Sequence, residues 1–222
     1  MAYAFDFSSV LEYRDILLAG TGRTLLLTGI GAVAGLALGI VGAVCRAWKL
    51  APFDRLFAVY VEFIRNTPFL VQLFFIFFGL PSLGIQLDEW QAAIIAVVIN
   101  LGAYTTEIVR AGVEATPRGQ IEAAQSLAMT RPQIFRHIVL PPALAKVWPA
   151  VCSQVVIVML GTSVCSQIAA EELTFAANFI QSRNFRAFET YFAVTAIYFL
   201  LALFVRNALA YAGMQLLGRR TK

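Results

Sequence analysis

Charge is what this chain of 222 residues has least of: Asp, Glu, Lys and Arg together make 14% of it, where a soluble domain carries roughly 25%. That shortage, with a hydrophobic content of 59% and a mean hydropathy of +0.75, excludes an ordinary soluble fold and indicates an integral membrane protein. Histidine is represented by His137 alone, and the three cysteines, Cys45, Cys152 and Cys165, sit in apolar stretches without a CxxC pair. Neither a zinc site nor a disulfide framework is supported, and buried free thiols are expected instead. The pattern GxxxxGK[ST] does not occur, nor does the dipeptide Gly-Lys, so no P-loop is available to cradle nucleotide phosphates. Neither a nucleotide site of this type, nor a catalytic residue, nor a cofactor is therefore assigned to this chain. Residues 1–15 carry Asp6, Glu12 and Asp15 in place of a basic segment, so no signal peptide is expected.

What the chain does have is a series of apolar segments, each near the roughly 20 residues that a helix needs to cross a hydrocarbon core. The first is the uncharged run 24–45, between Arg23 and Arg46. Its Gly31, Gly35 and Gly39 repeat at the small-xxx-small spacing that lets helices approach closely, and packing within the chain is favoured over a face between subunits. The second, 53–80, is interrupted by Arg65, Asn66, Thr67 and Pro68, which places a polar kink at membrane depth, and such kinks face protein or water. The third, 90–106, continues as a helix to Ala115, with Glu107 and Arg110 spaced to pair and Asn100, Tyr104 and Glu107 sharing one face. Segment 147–170 is the fourth and contains Ser153, Gln154, Thr162, Ser163, Ser166 and Gln167. The fifth, 190–217, holds Arg206 towards its inner half. Between the last two, 171–189 reads as a short helix lying across the outer mouth.

Lys and Arg set the orientation. Arg46, Lys49 and Arg55 fall in the first loop, Arg110, Arg118, Arg131, Arg136 and Lys146 in the third, and Arg219, Arg220 and Lys222 in the tail. Of the outer loops, 81–90 has none and the last holds Arg183 and Arg186. Over five spans this places the N-terminus outside and the C-terminus in the cytoplasm. A net charge of +4 is thus a sign of orientation, and nucleic acid is not an expected partner.

The third loop is unlike the rest. Residues 119–141, GQIEAAQSLAMTRPQIFRHIVLP, are polar and helix-forming, carrying charges that no bilayer core accepts. Thr116 and Pro117 end the preceding segment and start a helix. Ile121, Ala124 and Ala128 recur at helical spacing, and Thr130 with Gln133 makes a capping-box signal for a second short helix, which Pro141 and Pro142 are expected to end.

The spacing of Glu122, Ala123, Ala124, position 128, Ile138, Leu140 and Pro141 resembles the EAA loop of permease subunits of bacterial ABC importers. With 65–72 (RNTPFLVQ) and 102–110 (GAYTTEIVR), it is similar to the polar amino acid uptake branch over nearly the whole chain. The resemblance implies a single all-α permease domain, 1–222, of five transmembrane helices, multi-pass in the bacterial inner membrane. It implies a coupling loop at about 116–142 that docks on an ATP-binding subunit dimer, with ATP and Mg held there. It also implies a second permease subunit, identical or homologous, an external solute-binding protein, and a polar amino acid as substrate. Coupling then falls to Gly119, Gln120, Glu122, Ala123, Ala124, Ala128, Ile138 and Pro141. The substrate route is assigned to Arg65, Asn66, Thr67, Asn100, Tyr104, Glu107, Thr162, Ser163 and Glu172, which offer donors for a carboxylate and acceptors for an ammonium. Two departures stand out. The usual Gly is Ala128 here, and Ala tolerates positive φ poorly; a lysine often found before the Thr-Ser pair is Leu160, which lowers the cationic character expected of this subunit. A passive channel would share the polar residues without needing the loop, and a membrane scaffold would share the loop without needing polar kinks.

Overall fold

A computed structural model describes residues 5–217, and the basic tail Arg219, Arg220 and Lys222 lies outside the described residues. Every regular element among them is helical. A one-turn helix α1 (Ser8–Leu11) precedes α2 (Arg14–Ala47), whose 34 residues reach about 51 Å at ~1.5 Å per residue. The helix therefore starts ten residues before the uncharged run and overhangs a hydrocarbon core of roughly 30 Å. Among the described residues, four helices are long and apolar enough to cross a membrane, and a bent pair makes a fifth if counted as one span.

The glycines of α2 explain its packing. A Cβ on Gly31 would come within 2.3 Å of Val97 Cγ1, one on Gly35 within 2.9 Å of Leu101 Cβ, and one on Gly39 within 2.4 Å of Thr105 Cβ. The small-residue face is thus filled by α5 (Glu89–Glu114) of the same chain. The other side of α2 exposes Leu18, Leu26, Ile30, Val33 and Val41, an apolar stripe that suits lipid.

The second segment breaks where its polar residues Arg65, Asn66, Thr67 and Pro68 stand, into two helices bent by 112°. Helix α3 (Phe53–Arg65) stops where Pro68 withholds an N–H, and α4 (Phe69–Phe74) starts from the extended backbone of Pro68 and continues through a π turn (Phe75–Gly79) into a 3-10 turn (Leu80–Leu83). In the crook of the bend lies an apolar cavity of about 650 Å³, lined by Phe57, Tyr60, Ile64, Phe75 and their neighbours.

Helix α6 (Arg118–Ser126) and the short α7 (Arg131–Ile134) form the third loop. Pro141 and Pro142 do not end the second of these. They occupy the start of α8 (Leu140–Gly161), and a π turn (Phe135–Val139) joins α7 to it, so that 131–168 is one helical stretch of 38 residues. The π turn before them shifts the hydrogen-bond register, the kind of local adjustment by which a helix continues past prolines that cannot donate. Helix α8 passes into a 3-10 segment (Thr162–Ile168) that packs on α4 and α5. Helix α9 (Leu173–Asn184) then crosses against α2 and α10 (Ala187–Leu217), as the polarity of 171–189 predicts.

Candidate functional site

The loop of α6 and α7 is held to the bundle from one side only. Ala124 is 3% exposed and belongs to a cluster with Ala43, Val109, Val113, Ile134, Val139 and Ala143, so one face of α6 is sealed against the ends of α2, α5 and α8. Gly119, Gln120, Glu122, Ala123 and Ala128 are exposed, as is Leu127 at 78%. Ile138 and Pro141 are half-buried, and together with Gln120, Ala123 and Leu127 they line a cavity between α6 and the start of α8. Two hydrogen bonds close α6, from the N–H of Ala128 to the carbonyl of Gln125 (2.9 Å) and from that of Met129 to Ala124 (3.2 Å). This is a Schellman arrangement, which requires the left-handed conformation at Ala128, where φ is 56°. The glycine-type geometry is kept without the glycine. Gln133 Oε1 accepts from the N–H of Thr130 (2.8 Å), which fixes the start of α7.

A second site centres on Glu107. Its carboxylate pairs with Arg46 from α2, with Arg110 one turn along α5 (2.8 Å), and at 4.0 Å with Arg65 from the end of α3. Arg65 also lies over the ring of Tyr104, 5.5 Å from its centroid, and Arg110 reaches Glu114 (2.6 Å). The Glu107 side chain is 18% exposed, so three cations from three helices converge on a mostly desolvated carboxylate.

Next to this junction the break between α3 and α4 is stitched by Gln72, which sequence reasoning did not single out. Its Nε2 donates to the carbonyls of Ile64 (2.7 Å) and Thr67 (3.0 Å), and its Oε1 accepts from Asn100 Nδ2 (3.0 Å). Pro68 frees backbone acceptors within an apolar setting, so a donor was needed nearby; the glutamine four residues after the proline was the available signal. Asn66 Nδ2 turns back to Glu62 Oε1 (2.9 Å), and Thr67 Oγ1 donates to the carbonyl of Phe63 (2.8 Å). Asn100 is 9% exposed.

The remaining route candidates lie elsewhere. Thr162 and Ser163 each donate to the carbonyl three residues back, of Met159 (2.6 Å) and Leu160 (2.7 Å), and Thr162 is fully buried while Leu160 is exposed. Glu172 sits at the opposite end of the bundle from Glu107. Fully buried, it caps α9 by accepting from the N–H of Phe175 (2.8 Å), and its other oxygen accepts from Tyr198 Oη (2.6 Å). Burial among neutral donors pushes its carboxyl above the usual range. The nine route residues are therefore not brought to one place: Arg65, Tyr104 and Glu107 share the junction, Thr67 and Asn100 bond Gln72, Asn66 turns back to Glu62, Thr162 and Ser163 are used by their own turn, and Glu172 is used by α9 and Tyr198.

Residues 35–222 match a family described as binding-protein-dependent transport system inner membrane components. The chain is 34% identical over 197 residues to a probable amino-acid ABC transporter permease protein, PatM, of Vibrio harveyi, covering 87% of this chain and 88% of that one. It is 35% identical over 198 residues to a probable glutamine ABC transporter permease protein, GlnM, of Bacillus subtilis (89% and 92%), and 33% identical over 201 residues to the glutamine transport system permease protein GlnP of Escherichia coli K12 (90% and 92%). Among solved structures, a chain from a crystal structure of an amino acid ABC transporter with histidines superposes with a TM-score of 0.86 at 34% identity, covering 96% of this chain and all of that one. A chain of the MetNI methionine ABC transporter, at 20% identity, shares the fold with a TM-score of 0.73.

Proposed function

The chain belongs to the family of binding-protein-dependent transport system inner membrane components, and on that premise we propose that it passes a polar amino acid inward through the membrane while ATP is hydrolysed on a partner. It is a permease subunit of an ABC importer, a membrane component that works with an ATP-binding subunit and a binding protein. The relatives named for glutamine support a polar amino acid as substrate. In this reading the Glu107 end faces the cytoplasm, in keeping with the Lys and Arg of the first and third loops, and the Glu172 end receives the binding protein. A second permease copy completes the route, and two ATP-binding subunits hold ATP and Mg beneath the pair.

The observation that carries this reading is the one-sided anchoring of α6. Ala124 fixes the helix to the core while Glu122, Ala123 and Leu127 stand outside it, and the Schellman closure at Ala128 makes the join to α7 stiff. Beyond the join, 131–168 is a continuous helical stretch that ends at the Thr162 segment. A partner that grips the outer face of α6 would thus move α8 as a rigid body, which is how a nucleotide-driven closure biases a two-state route.

The test is charge reversal at the grip. A lost charged contact in a partly desolvated cleft costs about 2 to 5 kcal/mol. Glu122→Lys in the reconstituted complex is therefore expected to abolish substrate-stimulated ATP hydrolysis and uptake with normal membrane insertion. Ala128→Gly is expected to leave coupling intact and to raise the unfolding midpoint, since the left-handed conformation costs an L-residue about 1 kcal/mol or more. Normal stimulation in Glu122→Lys would place the docking site elsewhere.

A further inference from the structure

Helices α8 and α10 meet along a cleft of about 700 Å³ lined by Ala145, Trp148, Pro149, Ser153, Ile157 and Arg206, with Ala210 and Gly213 on the α10 side. Arg206 stands nineteen residues after Ala187 and eleven before Leu217, so it is about 28 Å and about 16 Å from the two ends of α10 at ~1.5 Å per residue. It lies within the apolar helical stretch Ala187–Gln215. Arg23, Arg46, Arg65 and Arg110 each face a carboxylate. Arg206 is exposed on the chain and donates to no described residue. An arginine left bare at such a depth requires water, an anion or a second protein against it.

The cleft offers the complementary polarity as well. Pro149 lies inside α8 and has no N–H, so the carbonyl of Ala145 four residues earlier loses its helical donor, and both residues line the cleft. Ser153 is exposed one turn further along the same wall. The two walls are pinned by Trp148 Nε1, which donates to the carbonyl of Leu209 (2.9 Å). Gly213 makes room for that indole, since a Cβ there would lie 2.1 Å from Nε1. The apolar stripe of α2 shows what a lipid-facing surface looks like in this chain, and the α8–α10 cleft is different in kind.

We propose that this cleft is a binding site on the substrate route, in which Arg206 takes the α-carboxylate of the amino acid, Ser153 Oγ adds a donor, and the Ala145 carbonyl accepts from the ammonium. The proposal rests on the amino acid importer reading above. Arginine suits a carboxylate because its guanidinium donates two parallel hydrogen bonds. The apolar remainder of the lining leaves the side chain of the substrate unread, so discrimination among amino acids falls to other groups.

Two measurements test it. In a complex whose Cys45, Cys152 and Cys165 have been replaced, Ser153→Cys is expected to react with water-soluble thiosulfonates, the anionic reagent at least about fivefold faster than the cationic one, and Arg206→Gln is expected to remove that preference. This arm reports a wet, cation-lined cleft whether or not transport occurs; no labelling, or no change in preference, overturns the site. In vesicles containing the intact importer and its binding protein, labelled glutamine uptake is expected to fall at least about thirtyfold in Arg206→Gln and to recover in part in Arg206→Lys. Uptake within twofold of the wild type overturns the carboxylate role. Wild-type uptake that rises with anionic lipid and loses this dependence in Arg206→Gln assigns the arginine to a lipid phosphate and also overturns it. A wild-type complex that takes up no amino acid, with the labelling preference intact, instead refutes the importer reading on which the ligand rests.

Discussion

Glu107 and Glu172 are the same residue type in opposite surroundings. Glu107 is ringed by Arg46, Arg65 and Arg110 and holds three helices together as an anion. Glu172 pairs with no cation among the described residues, accepts from a backbone N–H and a tyrosine hydroxyl, and is fully buried. Arg23, which lines the same pocket, is engaged by Glu171. A carboxylate withdrawn from water thus serves two purposes here: at one end it is a charged junction, and at the other a helix cap whose proton is retained to higher pH.

The largest expected effect is on the junction. Glu107→Gln leaves three arginines around a neutral side chain, and removing one partner of a buried ion pair costs about 3 to 5 kcal/mol, or about 3 with this degree of exposure. The unfolding midpoint in detergent or nanodiscs reads this. A loss no greater than that of an exposed ion pair would erase the distinction between the two carboxylates.

The Glu172 side is sharpened by pH. Its folded carboxyl titrates above the unfolded value, so the native state binds the extra proton, and stability is lost as pH rises from the unfolded value through the folded one. Glu172→Gln retains an oxygen for the cap and carries no charge. As pH rises above the ordinary carboxylate range the wild-type midpoint is therefore expected to fall relative to that of the variant, and no such fall at any pH at which the variant stays folded would show that Glu172 gains no charge on unfolding. Glu172→Ala, which removes the cap, is expected to lose about 1 kcal/mol at any pH.

The smallest effect is expected from Arg65, the outermost cation of the three, at 4.0 Å and with a side chain 44% exposed. Arg65→Gln is expected to change stability by less than about 1 kcal/mol, the range of solvent-exposed pairs. A loss as large as that of Glu107→Gln would mean that the bend between α3 and α4 depends on Arg65 rather than on Gln72.

Local signals read well from the sequence because their causes are local. The start of α7 at Thr130 and Gln133 and the i, i+3 pair of Glu107 with Arg110 each follow from residues within one or two turns, whereas the left-handed conformation at Ala128 was implied by the family resemblance alone. Pro141 and Pro142 misled, since a proline pair reads as a stop unless the preceding π turn is known. The pairing of Arg46 and Arg65 with Glu107 was not legible either. It joins residues 61 and 42 positions apart, and no periodicity reports such a distance.

By itself, the sequence determined that this is a membrane protein of helical spans, that one loop is built to stand outside the bilayer, and that no nucleotide site of the P-loop type is present, because hydropathy, charge and short motifs are properties of consecutive residues. Tertiary structure decided which polar residues are consumed locally and which remain available. Thr162 and Glu172 have the composition of route residues but are satisfied within the chain, Thr162 by its own helix and Glu172 by α9 and Tyr198 of α10, whereas Arg206 reads as one charge in an apolar run and becomes informative only beside Pro149 and Ser153. The physical reason is that a polar group in an apolar setting must find a partner, and whether that partner is backbone, side chain or ligand is set by what the fold brings within hydrogen-bond reach.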